Sequence, residues 1–139
     1  MAKKRKEQAR VLAQKQLASG IYDCLLETTL AKEAKPGQFI ALYPKDKSTL
    51  LPRPISICEA DAERNTLRIV YRVVGAGTSE FSQLKEGDTT DILGVLGNGF
   101  PLDKVREDQT AFLMGGGIGV PPILELAKRL NCRKQIIVG

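Results

Sequence analysis

Histidine and tryptophan are both absent from the 139 residues, and cysteine occurs only as Cys24, Cys58 and Cys132, with no C-x-x-C pair. Without histidine or closely spaced thiols, no compact metal-ligand set can be drawn. An odd, scattered count in apolar surroundings (YDCLL, SICEA, LNCRK) speaks against a disulfide framework and for ordinary packing of each thiol. Aromatic residues are scarce, three Tyr and four Phe, which leaves little for nucleic-acid bases to stack on. No apolar run approaches the roughly 20 residues of a membrane helix. Near the start, Gln14, Lys15 and Gln16 interrupt the apolar stretch a signal peptide would need, so a cytoplasmic protein is expected, with no membrane partner.

The net charge of +5 is local in origin. Lys3, Lys4, Arg5, Lys6 and Arg10 face only Glu7 within the first ten residues, and the rest of the chain is close to neutral. The pI of 9.2 therefore describes a short basic segment, expected as a solvated N-terminal tail, and not a basic face.

What the sequence does contain is a succession of short strands and turns. Segments 10–17, 21–28, 38–43, 55–59, 66–74 and 89–93 are rich in Ile, Leu, Val, Thr and Tyr and alternate partly between apolar and polar positions. Ser19-Gly20, Pro36-Gly37, Arg64-Asn65 and Glu86-Gly87-Asp88 punctuate them. Six strands with one short helical candidate, 78–84, predict a small all-β antiparallel barrel over residues 1–101. After Pro101 the pattern changes. A compact apolar strand at 110–114 runs into Gly115-Gly116-Gly117-Ile118-Gly119, then a helix opened by Pro121-Pro122 with apolar residues at helical spacing, then a buried strand at 135–138. Strand, glycine turn, helix and strand make the first βαβ unit of an incomplete α/β domain over 102–139. Two parallel strands alone leave one face uncovered, so the expectation is a second domain cut short.

Four constellations carry chemistry. In Leu51-Pro52-Arg53-Pro54-Ile55-Ser56, the prolines hold Arg53 on stiff, extended backbone. A guanidinium held there can grip a phosphate through two parallel hydrogen bonds. In a regular strand Ser56 faces away from Arg53, so a bend is needed to bring both to one ligand. Taken alone, the motif also reads as a surface Arg and a strand Ser. In Val70-Tyr71-Arg72-Val73-Val74-Gly75-Ala76-Gly77-Thr78 a strand ends in glycines, and Thr78 is expected as the N-cap of a helix. Its hydroxyl and the backbone N–H groups there suit an anion, and Tyr71 is expected to lie along a flat ring; the alternative is a plain turn before an amphipathic helix. Gly94-Val95-Leu96-Gly97-Asn98-Gly99-Phe100 implies several turns, or backbone pressed against something flat. The run Gly115–Gly119 departs from the dinucleotide fingerprint G-x-G-x-x-G because Val120 stands at its last glycine, yet the turn still suits a phosphate or a nicotinamide.

Each motif is weak alone, but their order is specific. R-P-x-S, Y-R-x-x-G-x-G-T, G-x-L-G-N-G-F and G-G-G-I-G-x-x-P, in that sequence, resemble the ferredoxin-reductase superfamily from about Gln8 to Gly139. Within it they are most similar to the electron-transfer subunits of NAD-linked dihydroorotate dehydrogenases. The resemblance implies a Greek-key barrel that binds FAD, with Arg53 on the pyrophosphate and Pro54, Ile55 and Ser56 along the flavin. It implies Val70, Tyr71 and Arg72 running beside the ring, and Gly77 and Thr78 holding phosphates. Gly115, Gly116 and Gly117 would begin the NAD domain. Hydride would pass between flavin and nicotinamide, and single electrons through a [2Fe–2S] cluster to an FMN-containing catalytic subunit, in a heterotetramer serving pyrimidine biosynthesis. No side chain of this chain is expected to be catalytic, since the cofactor carries the chemistry. Many members place an aromatic residue before the serine, where this chain has Ile55. The family's cluster cysteines lie in a C-terminal segment with a spacing that Cys24, Cys58 and Cys132 do not match, so the cluster ligands are expected to be missing. Two other readings are a reductase component of an oxygenase or hydrogenase system, and a non-catalytic barrel binding nucleic acid.

Overall fold

The computed structural model describes residues 4–139. Strand β1 (Arg5–Ala18) buries Ala9 and Val11 while Gln8 and Arg10 stay exposed, the two-residue alternation of a half-buried strand. It is followed by β2 (Ile21–Glu27), β3 (Phe39–Tyr43), β4 (Arg53–Asp61), β5 (Thr66–Arg72) and β6 (Thr89–Leu96). The six pair antiparallel in the order β1-β2-β5-β4-β3-β6, and β6 returns to β1 from Arg5↔Gly94 to Arg10↔Thr89. The result is a closed barrel with the Greek-key jump from β2 to β5. Closure is one way an antiparallel sheet avoids open edges. Leu26, Ile40, Leu42, Ile57, Leu67, Ile69 and Ile92 point inward and are fully buried. Leu30, from a single 3-10 turn (Thr29–Lys32), and Phe81, from helix α1 (Ala76–Phe81), complete that core.

The first strand begins at Arg5, not at residue 10, and this corrects the expectation of a solvated tail. Barrel closure requires a partner along β6, and residues 5–10 supply it with their charges turned outward. Arg5 pairs with Glu7 at 3.1 Å and Glu33 at 2.7 Å. Lys6 lies 3.5 Å from Asp91 and 4.2 Å above the Tyr43 ring. Lys3 lies outside the described residues. Glu7 accepts hydrogen bonds from the Thr28 hydroxyl and from the Thr29 N–H and hydroxyl, tying β1 to the turn after β2.

Beyond the barrel, β7 (Thr110–Gly115) and β8 (Arg133–Val138) pair in parallel, joined by helix α2 (Pro121–Arg129). Leu113, Leu126 and Leu130 form a second small core. α2 also packs on β4, which joins this unit to the barrel. The expected strand at 135–138 is present but is not buried: Ile136, Ile137 and Val138 are about half exposed. One helix can cover only one face of a two-stranded sheet, and Phe112, Met114 and Met114's partner Ile137 occupy the open one. No helix is long and apolar enough to cross a membrane among the described residues.

Candidate functional site

β4 and β5 pair from Asp61↔Thr66 to Ile57↔Ile69 and then part. Past that point β4 keeps only β3 beside it, from Phe39↔Ser56 to Leu42↔Arg53, and β5 keeps only β2, from Asp23↔Val70 to Ile21↔Arg72. Residues 53–56 and 70–72 therefore stand across an open seam, and a cleft of about 420 Å³ occupies it. The parting is the irregularity that Arg53 and Ser56 required, for both border the cleft. It also explains Pro54 within a strand: with no β5 neighbour there, a missing N–H breaks no ladder on that side.

Arg53 is held from two sides. Its Nη1 donates to the Leu51 carbonyl, and its stem lies against Gly77, where a Cβ would meet the Arg53 Nε at 2.8 Å and Cγ at 3.0 Å. A glycine at 77 is required for that approach. Thr78 is not the N-cap of α1. Gly75 holds that position, and Thr78 sits in the first turn, 4% exposed, accepting from the N–H groups of Val74 (2.8 Å) and Gly75 (3.2 Å). Its hydroxyl shapes the loop that walls the cleft and is already engaged.

Tyr71 borders the cleft, but its ring does not lie along it. Tyr71 shares the inward face of β5 with Ile69, its ring stacks on Tyr22 at 5.9 Å, and its hydroxyl donates to Gln14 Oε1 at 2.7 Å. Burial pushes that phenol well above its usual range. Val70 and Arg72 alternate to the other face. Ile55 likewise faces the core, leaving Pro54 and Ser56 exposed on the cleft side. The third glycine group lies elsewhere: Gly97 is pressed against the Phe39 ring, where a Cβ would come within 3.2 Å, so the flat object is the protein's own side chain.

The three glycines of the second unit divide. A Cβ added at Gly115 would meet the Gly119 carbonyl at 3.0 Å and Ile123 at 3.2 Å, a matter of packing the turn onto α2. Gly116 is nearly free of neighbours, while Gly117, at φ +54°, comes within 3.7 Å of Arg72 Nη2 measured from an added Cβ. The side chain that reaches the cleft from this turn is Ile118, with Val74 opposite on the loop before α1. Sequence reading placed both inside glycine-bearing motifs but assigned neither a role at the site. The signal for Ile118 was its place as the one side chain in a run of glycines. Val74 lay within the second motif, immediately before Gly75, with nothing further to distinguish it from Val73.

Two of the three thiols, Cys24 and Cys58, are shut away. Burial pushes Cys24 up to about 12 and Cys58 up to about 11, which suits packing and not ligation. No group of three or more potential metal ligands exists among the described residues.

An antiparallel Greek-key barrel with an arginine at a split seam, followed by a strand, glycine turn and helix, is the architecture of the ferredoxin-reductase-type FAD domains. The solved NADH-dependent reduced ferredoxin–NADP oxidoreductase is similar at a TM-score of 0.81 and 29% identity, over 94% of this chain and 46% of that one. A phthalate dioxygenase reductase shares the fold at a TM-score of 0.75 and 23% identity, over 96% of this chain and 43% of its own. By sequence the particular likeness is to the electron transfer subunit of dihydroorotate dehydrogenase B (NAD(+)). The Enterococcus faecalis (strain ATCC 700802 / V583) protein is 49% identical over 129 residues, which is 92% of this chain and 49% of that protein. The Lysinibacillus sphaericus protein is 45% identical over 130 residues, 93% of this chain and 51% of its own length. The chain spans about half the length of these relatives. No family model matches it.

Proposed function

We propose that this chain is the FAD-holding part of an electron-transfer flavoprotein subunit that exchanges electrons with NAD(H) and passes them to an FMN-containing dihydroorotate dehydrogenase subunit. The observation that carries the reading is the seam between β4 and β5, with Arg53 laid against Gly77 at its edge. A Cβ at Gly77 would fill the space that positions the guanidinium, so the pair is built for an anion and not for packing alone. FAD, when bound, supplies the hydride and single-electron chemistry. The chain's own residues bind, orient and exclude water. Arg53 takes the pyrophosphate, and Pro54 and Ser56 border the ring with the backbone of 70–72. Val74 and Ile118 close the cleft with apolar surface. Gly77 and Thr78 act by shaping the wall, and the glycines from Gly115 to Gly117 form one edge of a nicotinamide site.

The same reading divides the chain into a barrel over 1–101 and the start of an NAD-binding unit over 102–139, with the open apolar face of β7 and β8 meeting the remainder of that domain. It sets the protein in the cytoplasm, in a heterotetramer with its catalytic subunit. A [2Fe–2S] cluster does not fit these residues. Cys24 and Cys58 are buried, Cys132 is apart from them in sequence and element, and no step through a cluster is assigned to this chain. The test is titration of the purified chain with FAD and with FMN. FAD is expected to bind, with quenched fluorescence and a perturbed visible spectrum, and more tightly than FMN. A preparation that stays colourless after reconstitution would overturn the reading. Capture of the FMN-containing subunit by the longer relatives but not by this chain would place the partner surface outside residues 1–139.

A further inference from the structure

A buried carboxylate outside the cleft needs an explanation, and Glu125 is one. It lies in the middle of α2, with its side chain 3% exposed. Arg129 donates to Oε1 at 2.9 Å, and Lys128 lies 3.9 Å from Oε2. Oε2 also accepts the backbone N–H of Ala60 at 3.3 Å, and Ala60 is a residue of β4 in the barrel. That donor is available for a topological reason. β3 leaves β4 after Phe39↔Ser56, and β4 carries a bulge between Ile57 and Glu59, so its far end, still paired with β5 on one side, presents backbone to α2 on the side β3 has left.

We infer that Glu125 is the positioning residue that sets the glycine turn over the cleft, an inference that rests on the flavin reading only for its consequence. One strand carries both ends of the arrangement: 53–56 line the cleft and Ala60 receives the helix. One helix carries the other two: Glu125 makes the tie, and the turn leading into α2 presents Ile118 to the cleft. Apolar packing between α2 and β4 attracts but does not choose a register, being non-directional. A hydrogen bond to a specific amide does choose one. A buried carboxylate is also costly unless its partners are met, so slipped or rotated dockings that strand it are disfavoured.

The experiment uses the 139-residue chain with Glu125→Leu, which keeps a similar apolar volume but has no acceptor, and Glu125→Gln, which keeps an oxygen for Ala60. Backbone amide exchange and the visible circular dichroism of bound FAD are read together. In Glu125→Leu, exchange across 115–123 is expected to rise about tenfold or more, since the directional tie is lost. The barrel strands keep wild-type protection and the flavin dichroism shifts; Glu125→Gln recovers most of both signals. Equal exchange at 115–123 in wild type and Glu125→Leu would overturn the inference whatever the flavin does. Raised exchange with unaltered flavin dichroism would overturn the claim that the turn lies over the cleft. Failure of the wild type to bind FAD counts against the flavin reading instead, and the exchange result then judges Glu125 alone.

Discussion

Gly77 stands against Arg53 with room for a hydrogen and nothing larger, since an added Cβ would come 2.8 Å from Nε and 3.2 Å from Cζ. Gly77→Ala is therefore expected to push the guanidinium off its seat. Alanine favours the helix that begins there, by up to about 1 kcal/mol, so the thermal midpoint should not fall. FAD affinity should drop about tenfold, the loss of roughly one charge-assisted hydrogen bond. Thermal denaturation and a flavin fluorescence titration separate the two effects. Wild-type affinity in Gly77→Ala would show that the seat does not matter.

Arg53→Lys keeps the charge but not the planar fork. Loss of the second hydrogen bond is expected to cost about 1.5–3 kcal/mol of FAD binding, with the protein's urea midpoint unmoved because Arg53 is not part of the core. Isothermal titration of both proteins with FAD measures it. Indistinguishable affinities for wild type, lysine and alanine at 53 would make the arginine a surface residue.

Tyr71→Phe tests which way the ring points. Gln14 donates through Nε2 to the carbonyls of Phe81 and Leu84 while its Oε1 takes the Tyr71 proton. Removing the hydroxyl leaves a part-buried acceptor unmet, a cost of about 1–2 kcal/mol in urea unfolding. The spectrum and affinity of bound FAD should not change, because the ring faces Tyr22 and the core. A shifted flavin spectrum in Tyr71→Phe would contradict that placement.

Glu7 gives the barrel closure a pH dependence. Burial acts to raise its pKa, but hydrogen bonds from Thr28, Thr29 and Arg5 together outweigh it and hold the carboxyl below its usual value. A carboxyl with a depressed folded-state pKa contributes stability above its unfolded value, about 4.3, and loses it as the pH falls through the folded value. Stability should thus decline as the pH drops from about 5 toward 3. Glu7→Gln should be less stable at neutral pH and flatter across that window. Urea midpoints at several pH values decide it; parallel curves would remove Glu7 as a contributor.

The barrel and the βαβ unit were legible because turn residues and apolar alternation act locally. The start of β1 was not, because Arg5, Lys6 and Arg10 look solvated until β6 is known to lie alongside them. The seam was only hinted at, by Pro54 inside a strand: where β4 and β5 part is a property of pairing. Thr78 was placed at the cap by its hydroxyl, but Gly75, two residues earlier than the first glycine pressed on Arg53, begins the helix. The direction of Tyr71 followed from counting along β5 with Ile69 inward, a count that needed the strand's true register. Glu125 reads in sequence as one more solvent-facing charge beside Lys128 and Arg129, and only β4's uncovered end makes it otherwise.

Because Arg5 pairs with Gly94, the first strand of the barrel must wait for its last strand before it has both neighbours. Until then β1 can hold only the hairpin with β2, and its other edge is open along the whole of 5–10. Contacts that span so much of the chain are slow to form. Without β6 the sheet cannot close and both β1 and β3 would be open edges, and the charges of residues 5–10 along β1 then serve to disfavour pairing with the wrong strand.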